Sequence, residues 1–136
     1  MKTHASHRQP KILLVEDHPF QLIGLHMQLN LLGFFRVSTA LDKAEALALI
    51  DRGLSFDLLL CDQHLPDGYG LDLIDSAHQL GAIRYAMLIS GIDESPLRQH
   101  LLHNAHERDL PLLACLSKPL PVERFQQALA PIWDSL

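Results

Sequence analysis

Two cysteines are all that the 136 residues offer, and no Cys-x-x-Cys pair is among them. Cys61 and Cys115 each fall inside an apolar run, so both read as buried, reduced thiols and no disulfide is expected. Positive charge is also scarce. Eleven Lys and Arg stand against sixteen Asp and Glu, for a formal net charge of -5, and the cations are not clustered. Phosphate backbones reward clustered cations, so direct nucleic-acid binding by this chain is not expected. No apolar run approaches the roughly 20 residues of a membrane span, and the N-terminus lacks the apolar core of a signal peptide. The expectation is a cytoplasmic chain with no membrane partner.

What is present suits one globular domain: 48% hydrophobic and 20% charged residues, in a chain long enough to bury a core. Nine histidines are many, and His100, His103 and His106 recur every third residue on one expected helix. No carboxylate or cysteine completes a familiar metal signature around them, so they read as a solvated polar face with no assigned function.

Residues 1–10 mix polar groups and end in proline, which reads as a flexible N-terminal tail, with the domain spanning 11–136. Ile12 to Val15 is an apolar run of strand length. Pro19 suits a first helical turn, and Leu22, Leu25, Leu29 and Leu32 repeat at steps of three and four before Gly33 closes the helix. Further strands are expected at Phe35 to Thr39, Asp57 to Cys61, Tyr85 to Ile89 and Leu112 to Leu116. Between them lie helices at Asp42 to Asp51, with Ala44, Leu47 and Ala48 inward, at Leu71 to Leu80, with Leu71, Ile74 and Ala77 inward, and at Ser95 to Glu107. In the third of these, Ser95 and Pro96 resemble an N-cap and a first helical residue. Pro121 opens a last helix whose stripe is Val122, Phe125, Leu129 and Ile132. Five strands alternating with five helices predict an α/β fold with a parallel sheet covered on both faces.

Four of the strand runs end in a polar residue of a different kind: Glu16-Asp17, Asp62, Ser90 and Lys118-Pro119. In a parallel sheet these endings share the carboxyl edge, where open α/β sheets bind ligands. Three carboxylates in one crevice need a compensating cation, and hard oxygen ligands with open positions suit Mg²⁺ beside a phosphoryl group. Asp62 can attack phosphorus to give an acyl phosphate, Ser90 can donate a hydrogen bond to a phosphoryl oxygen, and Lys118 can pair with another. Singly, each residue has a plain reading as a turn, a cap or a solvated charge. Together, those readings require four coincidences at four strand ends.

The acidic pair Glu16-Asp17, the strand into Asp62, the LPDGYGL loop after it, Ser90 after the fourth strand and Lys118-Pro119 after the fifth resemble the receiver domains of two-component response regulators. The resemblance runs from about Lys11 to Leu136. It implies a flavodoxin-like doubly wound sheet of order 2-1-3-4-5 with five helices. It also implies that Asp62 accepts phosphate from a sensor histidine kinase or histidine phosphotransfer protein. Asp17, Asp62 and the backbone carbonyl of His64 would hold Mg²⁺, with Glu16 acting mainly through water. Ser90 would be the switch hydroxyl, Lys118 its countercharge, and the Lys118-Pro119 peptide commonly cis. His64 and Ile92, two past the acceptor and two past the switch, would tune the lifetime of the phosphoryl group. Output would pass through a partner protein or a fused module, and a homodimer stays open.

Cys115 departs from the pattern, because the family often carries Tyr, Phe or His three residues before the lysine. The stretch from Gly91 to Lys118 is long, and its wording also resembles receivers fused to cyclic-di-GMP phosphodiesterase domains of the EAL type. The expected protein is a signalling module that catalyses only its own phosphotransfer and dephosphorylation. Two alternatives stand beside it. One is a degenerate receiver used as an interaction scaffold. The other is an aspartate phosphatase of the haloacid-dehalogenase kind, although such enzymes usually carry a second Asp where this chain has His64.

Overall fold

In a computed structural model of the chain, the residues described are 9–91 and 95–136, with the side chain of Ser95 outside the description. Most of the expected tail, the Ile92 position and the capping role of the Ser95 side chain therefore lie outside the described residues. Pro10 is buried, and the side-chain carbonyl of Gln9 accepts from Phe35 N–H at 3.3 Å.

The chain alternates strands and helices: β1 (Ile12–Val15), α1 (Pro19–Leu31), β2 (Val37–Ala40), α2 (Lys43–Asp51), β3 (Phe56–Asp62), α3 (Gly70–Gln79), β4 (Ile83–Ser90), α4 (Ser95–Glu107), β5 (Leu112–Ser117) and α5 (Val122–Leu129). The five strands form one sheet of order β2-β1-β3-β4-β5, every adjacent pair parallel. This is the expected flavodoxin-like order. The central β3 is buried at six of its seven residues, as its unbroken apolar run predicts for a strand covered on both faces.

Side-chain alternation along the strands divides the core in two. Leu13, Val15, Leu59, Cys61, Ala86 and Leu88 face one way, against Ala46 and Ile50 of α2, Leu73, Ile74 and Ala77 of α3, and Leu101 and Ala105 of α4. Ile12, Leu14, Leu58, Leu60, Met87 and Ile89 face the other, against Leu25 and Leu29 of α1 and Phe125 and Leu129 of α5. Phe34 seals this second side, edge-on to Phe125 and to Trp133 at 5.9 Å between ring centroids in each case.

Three expectations need correction. The second strand covers Val37–Ala40, not Phe35 to Thr39, because Phe34 turns into the core while Phe35 is exposed. The inward face of α2 is Ala46 and Ile50, with Leu47 partly buried; Ala44 and Ala48 are exposed. The α-helical part of the last helix stops at Leu129, and Ala130–Ser135 continues as a 3₁₀ segment, where Pro131 has no amide to donate. A short hairpin that was not expected, His64–Leu65 pairing antiparallel with Gly68–Tyr69, fills the loop between Asp62 and α3.

Candidate functional site

Strand register brings the polar endings together. Val15 pairs with Cys61, which sets Glu16 beside Asp62; Asp62 pairs with Ile89, and Ser90 with Ser117, one residue before Lys118. Lys118 N–H donates to the Ser90 carbonyl at 3.0 Å, carrying the edge one step past the last strand pair. The Lys118-Pro119 peptide is cis, as the resemblance implies.

Lys118 spans the crevice. Its ammonium donates to Asp62 Oδ2 at 2.9 Å and to the side-chain carbonyl of Gln21, on α1, also at 2.9 Å. It forms an ion pair with Glu16 Oε1 at 2.5 Å. Burial works against the charged lysine, but the hydrogen bonds to Asp62 and Glu16 outweigh it and hold the ammonium above its ordinary pKa. Glu16 shows the opposite balance. It is 1% exposed, and burial raises its carboxyl above the ordinary value despite hydrogen bonds from Lys118 and from His18 N–H, the latter at 3.0 Å to Oε2. Oε1 of Glu16, though beside the ammonium, has no well-directed hydrogen-bond donor.

Glu16, Asp17 and Asp62 each present one carboxylate oxygen within 4.8 Å of the others, with Asp17 exposed at the mouth. Two buried carboxylates and one exposed one, a single ammonium between them and an oxygen without a directed donor make a donor set that fits a hard divalent cation. Ser90 is buried at the end of β4. His64 is exposed; its N–H donates to Asp62 Oδ1 at 3.1 Å, and its ring stands edge-on to Tyr69 with centroids 6.0 Å apart.

Several supporting residues were not singled out from the sequence. Gln63, buried next to Asp62, caps α3: its backbone carbonyl accepts from Gly70 N–H at 2.8 Å and its side-chain carbonyl from Leu71 N–H at 3.0 Å. Gly70 sits so close to β3 that an added Cβ would lie 2.4 Å from the Asp62 carbonyl oxygen and 2.9 Å from Leu88 Cδ2. Asp67, at the hairpin turn, accepts from Lys43 N–H and Ala44 N–H at 2.9 Å each, tying the hairpin to the first turn of α2. The hydrogen bond from Lys43 N–H, and after it that from Ala44 N–H, holds the Asp67 carboxyl below its ordinary pKa. Of these, Asp67 and Gly70 lay within the LPDGYGL loop the sequence had marked, and Gln63 did not.

The histidine row on α4 is solvated, as expected. His100, His103 and His106 are exposed, and His103 pairs with Glu107 at 3.3 Å. Both cysteines are free and buried. Burial, then the nearby negative charges of Asp62 and Glu16, push the Cys61 thiol well above its ordinary pKa. Burial pushes Cys115 up to about 11, with Arg98 opposing.

Comparison with known proteins agrees with this geometry. The chain is 30% identical over 129 residues to the sensor histidine kinase RcsC of Salmonella typhi, a match that covers 95% of this chain and 13% of that protein. Over 118 residues it is 29% identical to RcsC of Escherichia coli K12, covering 87% of this chain and 12% of that one. Among solved structures, the signal receiver domain of an HD-domain-containing protein from Pseudomonas fluorescens Pf-5 superposes with a TM-score of 0.74 at 27% identity, over 94% of this chain and 97% of that one. A CheY-like receiver from Methanospirillum hungatei JF-1 gives the same TM-score at 23% identity, over 94% and 96%, and bears on the fold. No helix among the described residues is long and apolar enough to cross a membrane. The family model for the response regulator receiver domain matches residues 12–130, so the chain belongs to the response-regulator receiver family, a family of signalling modules in two-component systems.

Proposed function

We propose that this receiver is phosphorylated on Asp62 by a sensor histidine kinase or histidine phosphotransfer protein in a Mg²⁺-dependent reaction. The signal then passes to an output module or partner protein in the cytoplasm. The observation that carries this reading is the bond from Lys118 to Asp62 Oδ2 within a cluster of three carboxylates.

Asp17, Asp62 and the His64 backbone carbonyl would hold the metal, with Glu16 reaching it through water. When bound, the ion supplies positive charge against the phosphoryl oxygens and against the mutual repulsion of the carboxylates. The chain's own groups do the rest. Lys118 and the His64 amide hold the Asp62 carboxylate in place, aimed across the carboxyl edge. One Asp62 oxygen attacks phosphorus; the N–P bond of the donor phosphohistidine breaks, and its electron pair stays on the imidazole nitrogen. Lys118 then pairs with a phosphoryl oxygen, and the Ser90 hydroxyl donates to another. Water later attacks the acyl phosphate, with His64 at the mouth beside its path.

The assembled crevice disfavours a scaffold with a degenerate site. His64 in place of a second Asp disfavours a phosphatase that needs a general acid two residues past the nucleophile. Incubation with acetyl phosphate and Mg²⁺, followed by intact-mass analysis, tests the proposal. A single phosphoryl adduct that is absent in Asp62→Asn and absent with chelator is expected. No adduct would indicate the scaffold, and sustained turnover of phosphate esters would indicate the enzyme.

A further inference from the structure

A lysine ammonium has three N–H donors, and around Lys118 three oxygens take them up. Asp62 Oδ2 and the Gln21 side-chain carbonyl accept at 2.9 Å each, and the ion pair with Glu16 Oε1 occupies the remaining side of the head. No donor is left over. To pair with a phosphoryl oxygen, Lys118 must give up one of these three partners.

The three are unequal. Asp62 and Glu16 are buried, and a buried carboxylate stripped of its cation is strongly destabilising. Gln21 is an exposed, neutral amide in the first turn of α1, so its carbonyl, once released, is met by water. Hydrogen bonds to neutral acceptors are also the weaker kind. The backbone beyond Lys118 is held independently: Gln28, seven residues after Gln21 and so on the same face of α1, donates from Nε2 to the Leu120 carbonyl at 3.2 Å. Gln21 therefore governs where the ammonium points, not where the loop runs.

Taking Asp62 as the phosphoacceptor, on which this step rests, we propose that Gln21 is a positioning residue: it holds one N–H of Lys118 in the unphosphorylated chain and surrenders it to a phosphoryl oxygen. One hydrogen bond breaks, from Lys118 to the Gln21 carbonyl, and one forms, from the same N–H to the phosphoryl group. Lys118 keeps its hold on Asp62 and Glu16 throughout. Gln21 thus competes with the phosphoryl group for the lysine. Removing that competitor should tighten binding of a phosphoryl mimic about two- to tenfold, the span of one net intramolecular hydrogen bond.

Two measurements on the whole chain test it. The first is NMR of the lysine ammonium groups at low temperature without Mg²⁺, which needs no phosphorylation. The Lys118 ammonium protons should exchange with water about threefold faster in Gln21→Leu than in the wild type, because one of their acceptors is gone. Equal rates overturn the proposal, and so does a wild-type ammonium that exchanges as fast as a solvated lysine. The second is titration with beryllofluoride, a phosphoryl mimic, in the presence of Mg²⁺. Gln21→Leu and Gln21→Ala should both bind it more tightly than the wild type, by the two- to tenfold given above, and agreement between them separates the lost acceptor from any effect of leucine bulk. Circular dichroism checks that each variant is folded. If the wild type binds the mimic and the variants match it, bind it more weakly or disagree with each other, the role of Gln21 is overturned while Asp62 stands as the acceptor. If the wild type binds no mimic, the assignment of Asp62 fails and the role of Gln21 fails with it.

Discussion

Lys118 Nζ lies 2.9 Å from Asp62 Oδ2 across 56 residues of chain, and the same ammonium reaches Glu16 and Gln21. One flexible cation thus holds three separate elements, β1, α1 and β3, at a common point. Removing it leaves two buried carboxylates facing each other without a countercharge.

Lys118→Ala should therefore cost about 2 kcal/mol in the metal-free protein, a typical figure for charged hydrogen bonds broken in a partly buried site. Urea unfolding measures the loss, and added Mg²⁺ should recover part of it. The yield of the acetyl phosphate adduct should fall at least tenfold.

Glu16→Gln should raise the melting temperature of the metal-free protein at neutral pH, because burial outweighs the hydrogen bonds to Glu16 and raises its folded-state pKa. With a raised carboxyl, wild-type stability is fully present below the unfolded value of about 4.5 and declines as pH rises through the folded value. The advantage of the variant should thus appear above pH 4.5 and vanish below it, which melts at a series of pH values reveal. Lys118, raised above 10.5 against its burial by Asp62 and Glu16, contributes stability below 10.5 that is lost in stronger alkali.

Gly70 and Gly24 should respond oppositely to alanine. At Gly70 the new methyl meets the Asp62 carbonyl at 2.4 Å, so Gly70→Ala should lose about 1–3 kcal/mol and lower phosphorylation. At Gly24, within α1, nothing lies within 4 Å, and Gly24→Ala should gain about 0.5–1 kcal/mol from helix propensity. Chemical denaturation of the pair separates steric crowding from propensity.

Cys115 lines a surface groove of about 450 Å³ with Leu102, Leu113 and Ala128, between Arg98 of α4 and Arg124 of α5. A two-atom side chain there cannot swing inward as a bulky ring does. Phosphorylation should consequently couple weakly to the α4, β5 and α5 surface. NMR shift changes with a phosphate mimic should be clearly smaller there than around Asp62, and equal changes refute the prediction. With its pKa near 11, the native Cys115 thiol should also resist alkylation at pH 7.5 until the protein unfolds.

The strands and their polar endings were legible because a buried parallel strand leaves little ambiguity: Ile12–Val15 reads as one piece, and the acidic pair after Val15 must sit at an edge. Helix α2 was not. Apolar residues occupy most of Lys43–Asp51, so spacing alone could not choose between Ala44 and Ala46; the grip of Asp67 and the Asp42 cap on its first turn belongs to the folded arrangement. The His64–Leu65 and Gly68–Tyr69 pairing is too short to show periodicity. Gln63 left no signal, because a glutamine that caps a helix eight residues ahead resembles any other in a sequence.

The absence of a side chain at Gly70 sets the mechanics of the whole crevice. Because the start of α3 abuts the Asp62 main chain, β3 has no room to shift towards that helix. Whatever the crevice binds must be met by side chains moving over a fixed floor.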